Sequence, residues 1–339
     1  IKEFNGGHSL NAVAGYSYFE TNGESFYAEN YNFDVEGIKF WDLGKGTYLS
    51  DGKAGMGSSK NITERLFSLF ARANYSYMDK YMVTASIRHE GSSKFAADNR
   101  WANFWSISGG WRISNEEFMK DYTWINDLKL RFGYGVTGNN DFSSSYMANT
   151  LGSDVYWMLP NGTWAYSYGK SQNINDALGW EEKKEWNIGV DYSFFNNRLY
   201  GKFDYYRRKI DNMIYEVKVP QPPFTQGTQW QNIGSMESKG WEFEIGGNII
   251  EGKDFTWTSN MNFSHNTGKI LTLWGNNTYY NGNGFPAPGS PGDAARMEEG
   301  STIGSFYLWK YAGIDENGDF LLYNKDGEVI PAANKTEAD

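Results

Sequence analysis

The sequence predicts an all-β protein: an antiparallel transmembrane β-barrel segment of about ten strands. Three observations support this prediction. Apolar and polar residues alternate over long runs, the connections between the runs alternate in length, and charged residues recur in the middle of the polar faces. Together these features favour strands that face lipid on one side and water on the other.

The alternating runs are long for a soluble sheet. From Leu66 to Tyr77, the apolar residues Phe67, Leu69 and Tyr75 share one face, and Arg72 lies on the other. Similar runs cover residues 81–90, 105–113, 128–136, 186–194, 199–208, 241–249 and 255–263, with weaker ones near 10–19 and 304–313. Most runs have about nine to thirteen residues, whereas soluble strands have about five or six and tilted membrane-crossing strands about nine to eleven. Run length therefore favours membrane-spanning strands.

Every second connection between the runs is long. Short joints are predicted at Asp79-Lys80, at Asn196-Asn197 and near residues 251–254, with a medium joint at 114–126. The longer connections cover residues 21–62, 90–100, 137–183, 209–239 and 266–303. Transmembrane barrels have short periplasmic turns and long extracellular loops. The alternation predicts the same arrangement here.

Charged residues recur on the polar faces of the runs. They are Arg72, Arg88, Arg112, Lys129, Arg131, Glu185, Asp191, Lys202, Asp204, Glu242 and Glu244. Burying so many charges in a small core would be prohibitive, whereas a wide, water-filled lumen accepts them. A soluble sandwich with these charges in solvent remains the alternative. That alternative predicts that Phe67, Leu69 and Tyr75 are buried in a core.

The composition argues against several classes of function. The 339 residues include 31 Lys and Arg against 41 Asp and Glu, and a net charge of −10 disfavours a nucleic-acid partner. Cysteine is absent, which excludes disulfides and Cys-ligated metals. No apolar stretch is long enough for a transmembrane helix. Aromatic residues make up 18% of the chain, which suits a membrane interface or a sugar-binding surface.

Two short motifs resemble binding sites but have simpler interpretations. Residues 133–138 match G-x-G-x-x-G, yet a loop follows them instead of the helix that a dinucleotide site requires. Residues 315–319 resemble the start of a calcium loop, but Phe320 stands where a glycine is needed, so a turn is favoured. The sequence predicts no catalytic, cofactor-binding or metal-binding residues and no enzyme activity.

Aromatic residues in the predicted loops are the candidate ligand-binding residues. Flat rings can stack on the faces of sugars and other apolar ligand surfaces. The candidates are Trp157, Trp164, Tyr166, Tyr168, Trp230, Tyr279 and Tyr280. Packing among the loops, or contact with a partner that covers them, is the alternative role.

Several blocks of the sequence resemble the barrel of SusC/RagA-type TonB-dependent transporters, which are outer-membrane proteins of Bacteroidetes. The blocks include ARANYSYMDKYMVTASIRHEGSSKF, NRWANFWSISGGWRIS, INDLKLRFGYGVTGNND, LGWEEKKEWNIGVDYSFFNNRLYGKFDYYRRK and NIGSMESKGWEFEI. They occur in the family's order, and EEGSTIGSFYLWKYAGIDENGD resembles a later family segment. The resemblance extends from about residue 8 to about residue 325.

The resemblance implies that residues 1–339 are a partial barrel domain from a plugged barrel of about 22 strands. The plug domain, TonB box, signal peptide and final strands are expected to be absent from these residues. The implied function is TonB-dependent import of a nutrient, a glycan or oligosaccharide or else an oligopeptide, without a cofactor. The implied partners are a SusD-like surface lipoprotein, the TonB complex through the missing N-terminal region, and outer-membrane lipid. A soluble extracellular carbohydrate-binding β-protein and a passive outer-membrane porin remain the alternatives.

Overall fold

The computed structural model describes residues 2–37, 39–60, 64–142, 151–273, 279–281 and 294–334. Its strands, in chain order, are β1 (Lys2–Phe4), β2 (His8–Thr21), β3 (Glu24–Glu29), β4 (Gly55–Lys60), β5 (Glu64–Tyr77), β6 (Tyr81–Ser92), β7 (Trp101–Arg112), β8 (Ile125–Asn139), β9 (Leu151–Met158), β10 (Trp164–Lys170), β11 (Glu181–Phe194), β12 (Leu199–Asp211), β13 (Ile214–Lys218), β14 (Thr228–Asn232), β15 (Ser235–Glu251), β16 (Thr256–Thr272), β17 (Tyr279–Asn281), β18 (Arg296–Glu298), β19 (Lys310–Ile314), β20 (Phe320–Tyr323) and β21 (Val329–Pro331). Short 3-10 segments occupy Lys39–Lys45, Thr47–Leu49, Ala97–Asn99, Ile113–Asn115, Glu117–Met119 and Ala332–Asn334. In the described part of the chain, no helix is long and apolar enough to cross a membrane.

Ten strands form one antiparallel sheet, here called the main sheet. Their order is β1-β2-β5-β6-β7-β8-β11-β12-β15-β16, so each strand pairs with the previous and the next main-sheet strand along the chain. The pairing keeps apolar residues in register on one face: Val190, Phe203, Phe243 and Phe263 form one row across four strands. A two-residue period thus gives the whole sheet one apolar face and one polar face.

The predicted long strands are confirmed. Nine strands of the main sheet have between 12 and 17 residues, long enough for a tilted strand to cross the hydrocarbon core of a membrane. Residues 133–138, the G-x-G-x-x-G match, lie within β8, which contains the predicted run over 128–136.

One predicted strand is wrong. The weak run near 304–313 does not join the main sheet, whose tenth strand is the short β1. Gly304 has a φ of 81°, which breaks the extended run. The last residues of this run belong to β19. This strand pairs with β20, which in turn pairs with β21, in a separate three-stranded sheet. The turn at 315–319 creates this local hairpin: the carboxylate of Asp315 accepts hydrogen bonds from the backbone N–H groups of Asn317 and Asp319, at 2.9 Å each.

The short joints lie at the predicted positions but are longer than two residues. Residues 78–80 connect β5 to β6, and Met78 and Asp79 both have left-handed φ angles, 52° and 54°. Residues 195–198 connect β11 to β12, with φ values of 57°, 60° and 61° at the first three positions. Asn and Asp tolerate this conformation better than most residues, which explains their presence in both turns.

The short turns hold one end of the main sheet together. The backbone N–H of Met78 donates to Gly7 O at 2.7 Å, and that of Arg112 donates to Lys80 O at 2.7 Å. Phe195 N–H donates to Trp124 O, also at 2.7 Å. Neighbouring turns therefore bond to one another, which leaves few unpaired backbone groups at this end.

The buried cores of the described chain lie at the long-loop end, where the long connections meet the ends of main-sheet strands. Loop core one consists of Phe95, Phe104, Val136, Phe142, Leu178 and Trp180, and loop core two of Met213, Val217, Ile233, Ile270 and Leu273. The apolar face of the main sheet is uncovered by contrast, with Leu69 49% and Tyr75 41% exposed. The soluble alternative predicted that this face would be buried, and in this chain it is not.

Candidate ligand chamber and its loops

The polar face of the main sheet, here called the polar wall, is built from side chains that pair across strands. Ser17 and Ser68 share a hydrogen bond of 2.6 Å between their hydroxyls, and Thr84 donates to the Asn74 side chain at 2.9 Å. Ser68 is buried in its pair, whereas Ser17, Asn74 and Thr84 are at least partly exposed and present hydroxyl and amide groups to water. The wall is therefore suited to contact with a hydrated solute.

An ion cluster from three strands lies on this wall. The Arg131 guanidinium donates from Nε to both carboxylate oxygens of Asp191 at 2.9 Å, and its Nη2 lies 2.9 Å from Asp204 Oδ1. Gly189 provides the necessary space, because a Cβ there would overlap the Asp204 carboxylate and lie 2.7 Å from Arg131 Nη2. The glycine and the three charged residues therefore form one structural unit.

Two further ion pairs lie on the polar wall. Lys202 Nζ lies 3.1 Å from Glu244 Oε2, and Arg208 Nε donates to Glu185 Oε2 at 2.7 Å. These pairs are partly exposed, so each contributes little to stability. At these two pairs the wall is hydrophilic but locally neutral.

A cavity of about 480 Å³ opens on the polar wall. Asn74, Thr84, Lys129 and Asn187 are among its lining residues. In the described ranges, Lys129 has no carboxylate within ion-pair distance, unlike Arg131 nearby. Amide, hydroxyl and ammonium groups therefore converge on a space that could hold hydroxyl or carboxylate groups of a polar ligand.

At the long-loop end, Asn173 joins two connections. Its buried side chain donates to Gln226 O at 2.7 Å and to Thr228 O at 2.9 Å, and it accepts from the backbone N–H groups of Thr225 and Gln226, both at 3.2 Å. This set of bonds is called the Asn173 clamp below. These side-chain hydrogen bonds join the segment before β11 to the hairpin of β13 and β14, where no regular strand ladder is formed between these two described segments.

Flanking residues extend the Asn173 clamp. Gln229 Nε2 donates to Ile174 O at 2.9 Å, and Asn175 Nδ2 donates to Trp230 O at 2.9 Å. The sequence reasoning missed this arrangement, although Asn and Gln are frequent in both segments. Amide density alone does not indicate which two loops meet.

The structure divides the candidate ligand-binding aromatics. Trp157 and Trp164 are 65% and 67% exposed on the hairpin of β9 and β10. Trp157 pairs with Ala165 and Trp164 with Met158, so the two rings lie on opposite faces of that hairpin and cannot stack on one sugar.

The other candidates are placed differently. Trp230 is half-buried against loop core one, with its ring centroid 6.2 Å from that of Phe142. Tyr166, Tyr168, Tyr279 and Tyr280 have strand backbones, and their side chains lie outside the described part of the structure. A ligand-binding role for all seven residues stays a prediction.

The described residues contain no group of three or more His, Cys, Asp or Glu side chains that could hold a metal ion. The side chains described at the polar wall and the loops can take part in hydrogen bonding, charge pairing and ring stacking. This chemistry suits reversible binding of a polar ligand.

Comparisons with known proteins agree with one another. A family model described as TonB dependent receptor-like, beta-barrel matches residues 2–333. The TonB-dependent receptor SusC of Bacteroides thetaiotaomicron is 37% identical over 260 residues, which are 75% of this chain and 26% of SusC. TonB-dependent receptor P39 of Formosa agariphila is 34% identical over 96% of this chain and 29% of its own length. A solved chain of the RagAB peptide importer in its closed-closed state has a TM-score of 0.78 at 26% identity, covering 99% of this chain and 36% of that one.

Proposed function

The chain belongs to the TonB-dependent receptor family, of which it forms part of the β-barrel, and from this premise we propose that it serves in the import of oligosaccharides. It is of the SusC/RagA type of Bacteroidetes and lies in the outer membrane. The chain spans 26% of the length of SusC and 29% of the length of receptor P39. Its contribution is the wall of a passage and part of the extracellular loops.

The observation that carries this proposal is the two-sided main sheet. One face exposes apolar rows such as Val190, Phe203 and Phe243, and the other carries the Arg131 ion cluster and the hydroxyl pairs. A sheet with these two faces separates lipid from a hydrated interior. Sugar hydroxyls could exchange hydrogen bonds with the polar wall as readily as with water.

Two partners complete the proposed function. We propose a SusD-like surface lipoprotein at the long-loop end, and the similarity to SusC and to the RagAB importer supports this partner. The TonB complex is expected to act through a region N-terminal to this chain. In this proposal the lipoprotein takes part in substrate capture, and the TonB complex supplies the energy. The family consists of receptors, so the proposed chemistry has no covalent step.

Oligopeptide import is the second candidate function. The fold match with the RagAB peptide importer favours it. The Lys129 ammonium in the wall cavity, which has no carboxylate partner among the described residues, could receive a peptide carboxylate. The oligosaccharide proposal stands first because Trp157 and Trp164 are exposed on the loops, where flat rings can stack on sugar faces.

Uptake by whole cells tests the two candidates. A strain lacking the full receptor gene and a restored strain are given labelled oligosaccharides or oligopeptides, with and without an uncoupler of the proton-motive force. Receptor-dependent, uncoupler-sensitive uptake of oligosaccharides supports the proposal, and such uptake of peptides alone supports the second candidate. Receptor-dependent uptake that ignores the uncoupler contradicts both and favours a passive porin.

Replacing the exposed tryptophans tests where the ligand binds. Because stacking on a ring contributes modestly to affinity, we expect Trp164→Ala to weaken oligosaccharide binding by the full receptor about 2- to 12-fold, measured by titration calorimetry. Trp41→Ala is the matched control, since Trp41 is 78% exposed on a different connection and is not a candidate. Trp157→Ala is measured in the same way. Equal effects of Trp164→Ala and Trp41→Ala, or no effect of Trp157→Ala and Trp164→Ala, would show that the hairpin of β9 and β10 does not contact the ligand.

A further inference from the structure

The apolar face of the main sheet ends in a positively charged patch on the long-loop side. This patch, here called the basic belt, consists of Lys184, Arg207, Lys209, Lys239 and Lys269. Three carboxylates, those of Glu182, Asp211 and Glu237, lie on the same face among them. The local charge is therefore positive in a chain whose net charge is −10.

Strand register places the basic belt directly beyond an aromatic row. Lys239 lies opposite Arg207 on β12 and Thr267 on β16. Two residues closer to the short turns, Trp241 lies opposite Tyr205 and His265. The next row in the same direction contains Phe203, Phe243 and Phe263. The order is apolar, aromatic and then basic, which corresponds to acyl chains, interface and headgroups of a lipid leaflet.

Ion pairing within the belt is incomplete. The Arg207 guanidinium binds Glu237 Oε2 at 2.8 Å from Nε and 2.5 Å from Nη2. Asp211 is shared by Lys184, at 3.0 Å, and Lys209, at 2.7 Å.

The two remaining cations have exposed side chains. Across the described residues, Lys239 and Lys269 have no carboxylate partner within ion-pair distance. Lys269 lies opposite Glu237, so it is the diagonal cross-strand neighbour of Lys239 on the same face. Diagonal neighbours in a sheet are about 7–8 Å apart, a separation that two long lysine side chains can close on one phosphate.

We propose that the basic belt binds the phosphate group of an anionic lipid in the outer leaflet, with Lys239 and Lys269 as the contacting cations. The rings of Trp241 and His265 would lie against the headgroup, and the Phe243 and Phe263 row against the acyl chains. A lipid is favoured over free phosphate because the belt is open to solvent and continuous with the apolar rows, so the acyl chains contribute to binding. This inference depends on membrane placement and is independent of the imported substrate.

Lipid binding by the full-length receptor tests the inference. The purified, delipidated receptor in detergent is titrated with diphosphoryl lipid A, with its dephosphorylated form and with inorganic phosphate, and native mass spectrometry measures occupancy. A lysine near a lipid phosphate contributes about a fivefold change in affinity, so we expect Lys239→Ala and Lys269→Ala each to weaken binding by that factor and the double variant about 25-fold. Lys239→Arg keeps the charge and should retain binding.

Lys253→Ala is the matched control. Lys253 is exposed in the turn that joins β15 to β16, at the opposite end of the strands that carry Lys239 and Lys269. Its replacement changes net charge equally and should leave lipid binding unchanged. The inference would be overturned if the double variant bound lipid A with wild-type affinity, or if Lys253→Ala lost as much affinity as the belt variants. It would also be overturned if the receptor bound the dephosphorylated lipid as tightly as diphosphoryl lipid A. Saturation by inorganic phosphate alone would overturn the assignment to lipid.

Discussion

Glu116 is the most strongly perturbed carboxyl group in the turns of the main sheet. It lies in the connection between β7 and β8, where it accepts hydrogen bonds from the Tyr81 hydroxyl at 2.6 Å, Lys80 Nζ at 3.0 Å and Trp111 Nε1 at 3.0 Å. These donors, the Tyr81 hydroxyl first, lower the pKa of Glu116 from 4.5 to about 2. One carboxylate therefore links two neighbouring turns.

We expect the stability of this turn region to depend on pH through Glu116. Because the pKa is lower in the folded state, the stabilisation is fully present above pH 4.5 and is lost as the pH falls towards about 2. Glu116→Gln should lower the urea midpoint of unfolding at pH 7, and the difference from wild type should shrink between pH 4.5 and about 2. Tyr81→Phe, which removes the largest cause of the shift, should reproduce part of the effect. A difference independent of pH would assign Glu116 a role in packing alone.

At the scale of the strand, glycines opposite aromatic residues recur along the main sheet. The cross-strand pairs are Gly15 with Phe70, Gly91 with Trp101, Gly201 with Tyr192, Gly240 with Tyr206 and Gly246 with Tyr200. In each pair the ring covers the glycine, and a Cβ there would lie within 3.0 Å of the aromatic side chain. An aromatic residue thus compensates for the missing side chain of its partner.

This arrangement predicts that alanine is poorly tolerated at the paired glycines. A Cβ on Gly246 would lie 2.5 Å from the Tyr200 ring, so Gly246→Ala should lower the free energy of unfolding by about 1–3 kcal/mol, measured by urea titration of the folded receptor. Gly109→Ala is the control, because the nearest atom to a Cβ there is 4.0 Å away. Tyr200→Leu should remove most of the penalty when combined with Gly246→Ala. Equal destabilisation at Gly109 would show that backbone flexibility, and not the ring, is responsible.

The elements differ in how well the sequence predicts them. Strands such as β5 and β15 are recognisable because apolar and polar residues alternate over residues 66–77 and 241–249. Hairpins such as β13 with β14 were missed, since their five-residue strands are too short to show a period. The run near 304–313 has the period, but Gly304 breaks it and a local turn takes the remainder.

The sequence predicts which residues lie on the polar wall, but not which of these side chains contact one another. Alternation alone placed Arg131, Asp191 and Asp204 on the polar face. Their mutual contacts depend on the register between β8, β11 and β12, which turn lengths set and which no residue pattern revealed. The Asn173 clamp depends likewise on two segments separated by about 50 residues in the chain.

Taken as a whole, the chain has two differently built ends. Backbone bonds between neighbouring turns, such as Phe195 N–H to Trp124 O, hold the short-turn end. The long-loop end is held by loop cores one and two and by the Asn173 clamp. Because the clamp connects the segment before β11 to β14, these two loops should respond to a ligand as one body.

Breaking the Asn173 clamp tests whether the two loops form one unit. Asn173→Ala leaves the carbonyls of Gln226 and Thr228 without their donor in a buried site, which costs about 1–3 kcal/mol. Hydrogen exchange should therefore accelerate about 5- to 150-fold in residues 171–180 and 225–230 together, while β11 and β12 keep wild-type rates. Asn161→Ala, in the exposed turn between β9 and β10, loses only bonds to Thr163 and should change exchange there alone. If only one of the two segments accelerates in Asn173→Ala, the loops move separately, and passage of a ligand between them becomes possible without concerted motion.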